Sequence, residues 1–157
     1  MTQQQATGGS LLMDCLIGLG AYKGFGVPGE SYLAVLDAMY DRADKFELIL
    51  CRHEGGAAYM AEAWGKLTGT PDICFVTRGP GATNASIGIH TAMQNSSPML
   101  VFVGQVGTDM RGREAFQEID YTHSFGKVAK WVCEIDDADR IPELIARAWT
   151  TALSGRP

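Results

Sequence analysis

Basic runs, long apolar stretches and regularly spaced metal ligands are all missing from this sequence. Its 13 Lys and Arg stand against 18 Asp and Glu, leaving a formal net charge of −5. The positive side chains are scattered, so no patch neutralises phosphates and nucleic acid is excluded as a partner. No segment approaches the ~20 apolar residues of a membrane span. Leu11-Leu12-Met13 is already cut by Asp14, and Lys23 is the first positive side chain. Neither a membrane anchor nor a secretory leader is therefore expected. Cys15, Cys51, Cys74 and Cys133 fit no CxxC or zinc spacing. Cys51 and Cys74 lie inside apolar runs, where a reduced core thiol is the expectation, and the compartment reads as cytosolic. His53, His90 and His123 lack metal spacing. GxSxG, HExxH and GxxxxGK[ST] are absent too, which removes the nucleophile elbow, the zincins and the P-loop.

What is present in excess is glycine. There are 19 in 157 residues, about 12% against a usual ~7%. The hydrophobic share of 46% and charged share of 20% are ordinary for one soluble domain with a sizeable core. Residues 1–9 are polar and glycine-ended and read as a flexible leader, with the domain at 10–157. Apolar residues at 11, 12, 15, 16 and 19 predict a first helix, and those between Tyr32 and Tyr40 a second. FELILC (46–51), ICFVT (73–77) and MLVFV (99–103) read as buried strands, and Val128–Ile135 as a further one. The alanine-rich stretch 54–67, the stretch after Gly79-Pro80-Gly81 to about Gln94, and residues 141–152 read as helices. Residues 105–126 are polar, with room for one short helix. Continuous apolar strands alternating with helices predict an α/β fold, a doubly wound, mostly parallel sheet with helices on both faces. The Ala- and Gly-rich helices suit close packing on the sheet or against a second subunit.

In such sheets ligands bind outside the carboxyl ends of the strands. Three junctions there are unusual. Gly24-Phe25-Gly26-Val27-Pro28-Gly29 spells GxGxxG, with Asp44 and Glu47 about 20 residues on. Its approach, residues 20–23, reads as a helix end and turn, and Pro28 lacks an N–H for phosphate. A dinucleotide site and a tight strand-to-helix turn both stay open. Arg52-His53-Glu54-Gly55-Gly56 places an acid in a first helical turn. That placement suits the helix dipole, and equally a carboxyl poised to exchange a proton. Thr77-Arg78-Gly79-Pro80-Gly81-Ala82-Thr83-Asn84 is either a well-built loop or a backbone wall for a flat ligand.

Taken in order, GFGVPGES (24–31), RHEGGAAYMAEAWGKLTG (52–69), VTRGPGATN (76–84), QNSSPML (94–100), GQV (104–106) and REAFQEID (113–120) resemble the N-terminal pyrimidine-binding domain of thiamine-diphosphate enzymes. Within that superfamily the set is most similar to the acetolactate synthase group. The resemblance implies that Glu54 hydrogen-bonds the N1′ nitrogen of the cofactor's aminopyrimidine and so activates the cofactor toward a 2-keto acid. By position, Val27 and Pro28 would border the pyrimidine, and Thr77, Gly81 and Asn84 would line its pocket. Gln117 would reach the cofactor or the reacting carbonyl, and Phe116 the substrate side. Departures are Gly55 where the family carries glutamine and Glu30 where it carries glycine, which leaves the keto acid open. The resemblance further implies that a C-terminal domain of the parent protein, absent here, holds the diphosphate and its Mg2+. It implies a homodimer, and a parent in which FAD is an open question. The chain then reads as a fragment, inactive alone and lacking the last strand of its sheet. Two alternatives stand beside it. One is a Rossmann-like nucleotide module built on Gly24, Gly26 and Gly29; the other is a non-catalytic domain that only pairs subunits.

Overall fold

The computed structural model describes residues 6–157. Four strands, β1 (Lys23–Gly26), β2 (Glu47–Leu50), β3 (Asp72–Val76) and β4 (Met99–Val103), form one parallel sheet in the order β2-β1-β3-β4. The helices are α1 (Gly8–Gly18), α2 (Leu33–Tyr40), α3 (Glu54–Thr68), α4 (Gly79–Asn95), the short α5 (Tyr121–Phe125) and α6 (Ile141–Leu153). This is the doubly wound α/β fold expected, with every strand pair parallel.

Alternation along β3 shows how the two faces are filled. Ile73 and Phe75 join the cluster built by α1, α2 and α6, around Leu12, Met13, Leu16, Met39, Ile145 and Trp149. Cys74 and Val76 face the other way, into Ala57, Ala58 and Ala61 of α3 and Ala82, Ala85 and Ile89 of α4. The small side chains of α3 and α4 serve this packing. A Cβ on Gly88 would lie 2.5 Å from the Ala58 Cβ, so only glycine lets α4 approach α3 this closely.

Several sequence expectations need correction. Residues 23–26 are a strand, whereas the sequence pattern predicts a helix end and turn up to Lys23. Four residues with two glycines and a lysine carry no β signature. Lys23 is tolerated there because its Nζ lies 2.5 Å from Asp72 Oδ2 and 3.8 Å from the Trp64 ring centroid. The strand predicted at 46–51 is only partly buried: Phe46 is in the core, and Leu48 and Ile49 are half-buried. β2 is an edge strand with Leu50 68% exposed, because β1 has β3 on its other side. Val128–Ile135 forms no strand. It is separated from β4 by an apolar trench of about 460 Å³, lined also by Leu144, Ile145 and Ala148 of α6. Without a backbone partner within reach, an apolar run makes no ladder. Of the expected leader, residues 1–5 lie outside the described residues. Gly8 and Gly9 already belong to α1, whose N-cap Thr7 accepts a hydrogen bond from the Ser10 N–H.

Candidate functional site

The chain leaves β1 toward β2 on one side and returns to β3 on the other. The crevice at such a switch point, beyond the carboxyl ends of the strands, is where doubly wound sheets take ligands. Three turns meet there. After β1, Gly29 and Ser31 lie against Thr77, the residue following β3. The Ser31 and Thr77 hydroxyls are 2.9 Å apart, and a Cβ on Gly29 would come within 2.8 Å of the Thr77 Cβ. The Tyr32 hydroxyl donates to the Val27 carbonyl at 2.5 Å and so fixes the turn that carries Val27 and the exposed Pro28. Burial pushes the Tyr32 hydroxyl well above the usual phenol range, which keeps it a donor.

Glu54 opens α3 directly after the β2 turn, with His53 as N-cap accepting from the Gly55 N–H at 3.0 Å. The carboxylate therefore sits on the positive end of a helix, as the dipole reading expects. It also faces the third turn. Asn84 on α4 donates its amide to Glu54 Oε2 at 2.9 Å. Oε1 lies beside Gly81, where a Cβ would stand 3.4 Å away, and accepts no hydrogen bond among the described residues. Glu54, Thr77, Gly81 and Asn84 are thus brought together, with Val27 and Pro28 on the facing turn.

Gln117 arrives from the irregular stretch after β4. Its carbonyl accepts the Gly79 N–H at 2.9 Å, and its backbone is left-handed at φ 64°. Glu114 is left-handed as well, at φ 54°. Non-glycine residues in that region cost roughly 1–3 kcal/mol each and concentrate at functional sites. Between them Phe116 is 71% exposed. Of the residues in these turns, Ser31 and Tyr32 also line the apolar trench beside β4, whereas Val27, Pro28, Glu54, Thr77, Gly81, Asn84, Phe116 and Gln117 do not.

Most of the junction glycines answer to the protein itself. A Cβ on Gly26, Gly29, Gly55, Gly79 or Gly81 would press on protein atoms at 2.7–3.2 Å, whereas one on Gly56 would meet nothing within 4 Å. The GxGxxG match is not a phosphate turn: Gly24 and Gly26 lie inside β1 and are buried. Sequence reasoning assigned no role to Ser31, Tyr32 or Arg78, although Ser31 and Arg78 lie within motifs it found and Tyr32 adjoins one.

The geometry is that of a doubly wound α/β domain with one free carboxylate oxygen at its switch point. Residues 6–124 match the family described as "Thiamine pyrophosphate enzyme, N-terminal TPP binding domain", and the chain belongs to that family. It is 40% identical over 151 residues to "Acetolactate synthase, mitochondrial" of Schizosaccharomyces pombe, covering 96% of this chain and 22% of that protein. Against "Acetolactate synthase" of Bacillus subtilis it is 38% identical over 149 residues, 95% of this chain and 26% of the relative. Against "Acetolactate synthase large subunit" of Lactococcus lactis it is 38% identical over 155 residues, 99% and 27%. The chain thus spans about a quarter of the length of these curated relatives. No helix among the described residues is long and apolar enough to cross a membrane.

Proposed function

We propose that this chain is the pyrimidine-binding domain of a larger thiamine-diphosphate enzyme that decarboxylates or joins 2-keto acids, and that Glu54 is its proton-sharing group. The observation that carries the reading is the carboxylate itself. Asn84 holds Oε2, while Oε1 is left free beside Gly81, at the carboxyl ends of the strands. A carboxylate with one oxygen anchored can share a proton with a ring nitrogen through the other. Thiamine diphosphate, when bound, supplies the stabilised carbanion chemistry that keto acids require. The chain's own residues bind and orient. Val27 and Pro28 border the ring, Thr77, Gly81 and Asn84 line its pocket, and Gln117 and Phe116 face the reacting carbonyl.

The diphosphate and its Mg2+ belong to a C-terminal domain of the parent, in a homodimer that completes the site; the chain alone is inactive. The four cysteines are free, which suits a reducing compartment, and we place the protein in the cytosol.

The test is Glu54→Gln in the full-length protein. Glutamine keeps an acceptor for the Asn84 amide, so the fold and its melting temperature stay as they are. Exchange of the cofactor's C2 proton for deuterium, followed by NMR, drops by roughly 10²–10⁴-fold. Exchange at the wild-type rate removes Glu54 from the role.

A further inference from the structure

Arg78, in the turn after β3, joins the β1 turn to the segment that follows β4. Its guanidinium donates from NH2 to Glu30 Oε1 at 2.6 Å and from NH1 to the Phe116 carbonyl at 3.0 Å. Its Cζ lies 6.0 Å from the Phe116 ring centroid. The next residue, Gly79, donates its N–H to the Gln117 carbonyl at 2.9 Å. Two successive residues therefore grip two successive carbonyls, in the segment whose backbone is left-handed at Glu114 and Gln117. A left-handed glutamine persists only where its surroundings over-determine it. Here the over-determination comes from Arg78 and Gly79 on one side. On the other, the Glu118 carboxylate accepts from the Gly112 and Ala115 N–H groups.

Glu30 is 71% exposed at its side chain and Arg78 only 12%. The guanidinium is thus largely withdrawn from water, and Glu30 is the charge that balances it at its outer end. By reaching from the β1 turn to a sequestered arginine, this exposed glutamate ties that turn to the Phe116–Gln117 segment.

We propose that Arg78 is a positioning residue, held by Glu30, that fixes Gln117 and Phe116 over the crevice, and that Glu30 and Arg78 act as one unit. The proposal rests on the functional reading above, since it takes the crevice as the place of reaction.

The experiment uses the full-length enzyme and four variants: Arg78→Met, Arg78→Lys, Glu30→Gln and the double Glu30→Gln/Arg78→Met. Amide hydrogen exchange reads the clasp without any turnover. Arg78→Met should raise exchange across residues 112–118 and leave α3 and α4 as protected as in the wild type. In steady-state assays with pyruvate, Arg78→Met should lower kcat on the order of 10- to 100-fold. The apparent affinity for thiamine diphosphate should stay within about threefold, because Arg78 holds the segment and not the ring. Arg78→Lys, which keeps the charge and loses the fork, should recover part of the loss. The double variant should be no worse than Arg78→Met. Additive losses from Glu30→Gln and Arg78→Met, or unchanged exchange at 112–118, would overturn the proposal. A wild-type enzyme that turns over no keto acid would sink the functional reading instead, and the exchange experiment would still decide whether the clasp exists.

Discussion

Gly56 and Gly81 offer a paired test of how the junction glycines are used. Both lie near the N-termini of long helices, Gly56 in α3 and Gly81 in α4, and neither has a positive φ. Alanine is favoured over glycine in a helix by about 1 kcal/mol, and somewhat less in a first turn. At Gly56 a Cβ meets no atom within 4 Å. Gly56→Ala should therefore stabilise the chain by about 0.5–1 kcal/mol, a rise of about 1–4 °C in Tm for a domain of this size. At Gly81 the same Cβ would lie 2.9 Å from the Thr77 Cγ2, inside the roughly 3.5–4.0 Å of a good carbon contact. Thr77 is stiff at χ1, and its hydroxyl is engaged by Ser31 at 2.9 Å, so its methyl has little freedom to yield. Overpacking of this kind costs about 1–3 kcal/mol, and the helix gain offsets about 0.5–1 of it, for a net loss of up to about 2.5 kcal/mol. Urea denaturation followed by circular dichroism measures both. In a Thr77→Ser background, which lacks the obstructing methyl, most of the Gly81→Ala penalty should vanish. A destabilising Gly56→Ala, or a Gly81→Ala whose cost survives in that background, would refute the reasoning.

Two further outcomes follow from buried groups at the sheet. Lys23 and Asp72 are 2.5 Å apart, with side chains 9% and 4% exposed. Asp72→Ala leaves the ammonium buried and uncompensated and should cost about 3–5 kcal/mol, while the double variant Lys23→Met/Asp72→Leu should cost far less; a double-mutant cycle by urea denaturation checks both. Burial pushes the Cys74 thiol from 9.0 up to about 12. Above pH 9 the unfolded thiol loses its proton while the folded one keeps it, so stability falls as pH rises, by up to about 1.4 kcal/mol per pH unit. Cys74→Ala should lose that part of the alkaline slope, and an unchanged slope between pH 10 and 11 would count against it.

The parts of the fold legible in the sequence were those with long periodic or apolar signals. The strands β3 and β4 and the helices α3, α4 and α6 all announced themselves. β1 did not, because KGFG is chosen for what surrounds it: Lys23 for a buried carboxylate, Gly24 and Gly26 for the backbone of β3. The Val128–Ile135 stretch misled in the opposite direction, since apolar content marks burial and not pairing. At the site, Glu54, Thr77, Gly81 and Asn84 were readable as an ordered motif set, and the structure brings them together. Their hydrogen bonds were not readable. Which oxygen Asn84 takes, or that Arg78 reaches a carbonyl 38 residues away, depends on packing across the crevice.

The Lys23–Asp72 pair stands at the start of two strands whose far ends carry the site. In the observed pairing Phe25 faces Cys74 and Gly26 faces Phe75, which sets Lys23 opposite Asp72. A slip of one residue between β1 and β3 would move the turns past each other by about 3.3 Å. It would also leave two charges buried without partners. β1, with glycine at two of its four positions, has few side chains of its own to set its register. The ion pair opposes such a slip, together with the close fit of Gly24 and Gly26 on the β3 backbone. It works as an alignment pin, and the meeting of Ser31 with Thr77 at the opposite end of the sheet is the tolerance that the pin maintains.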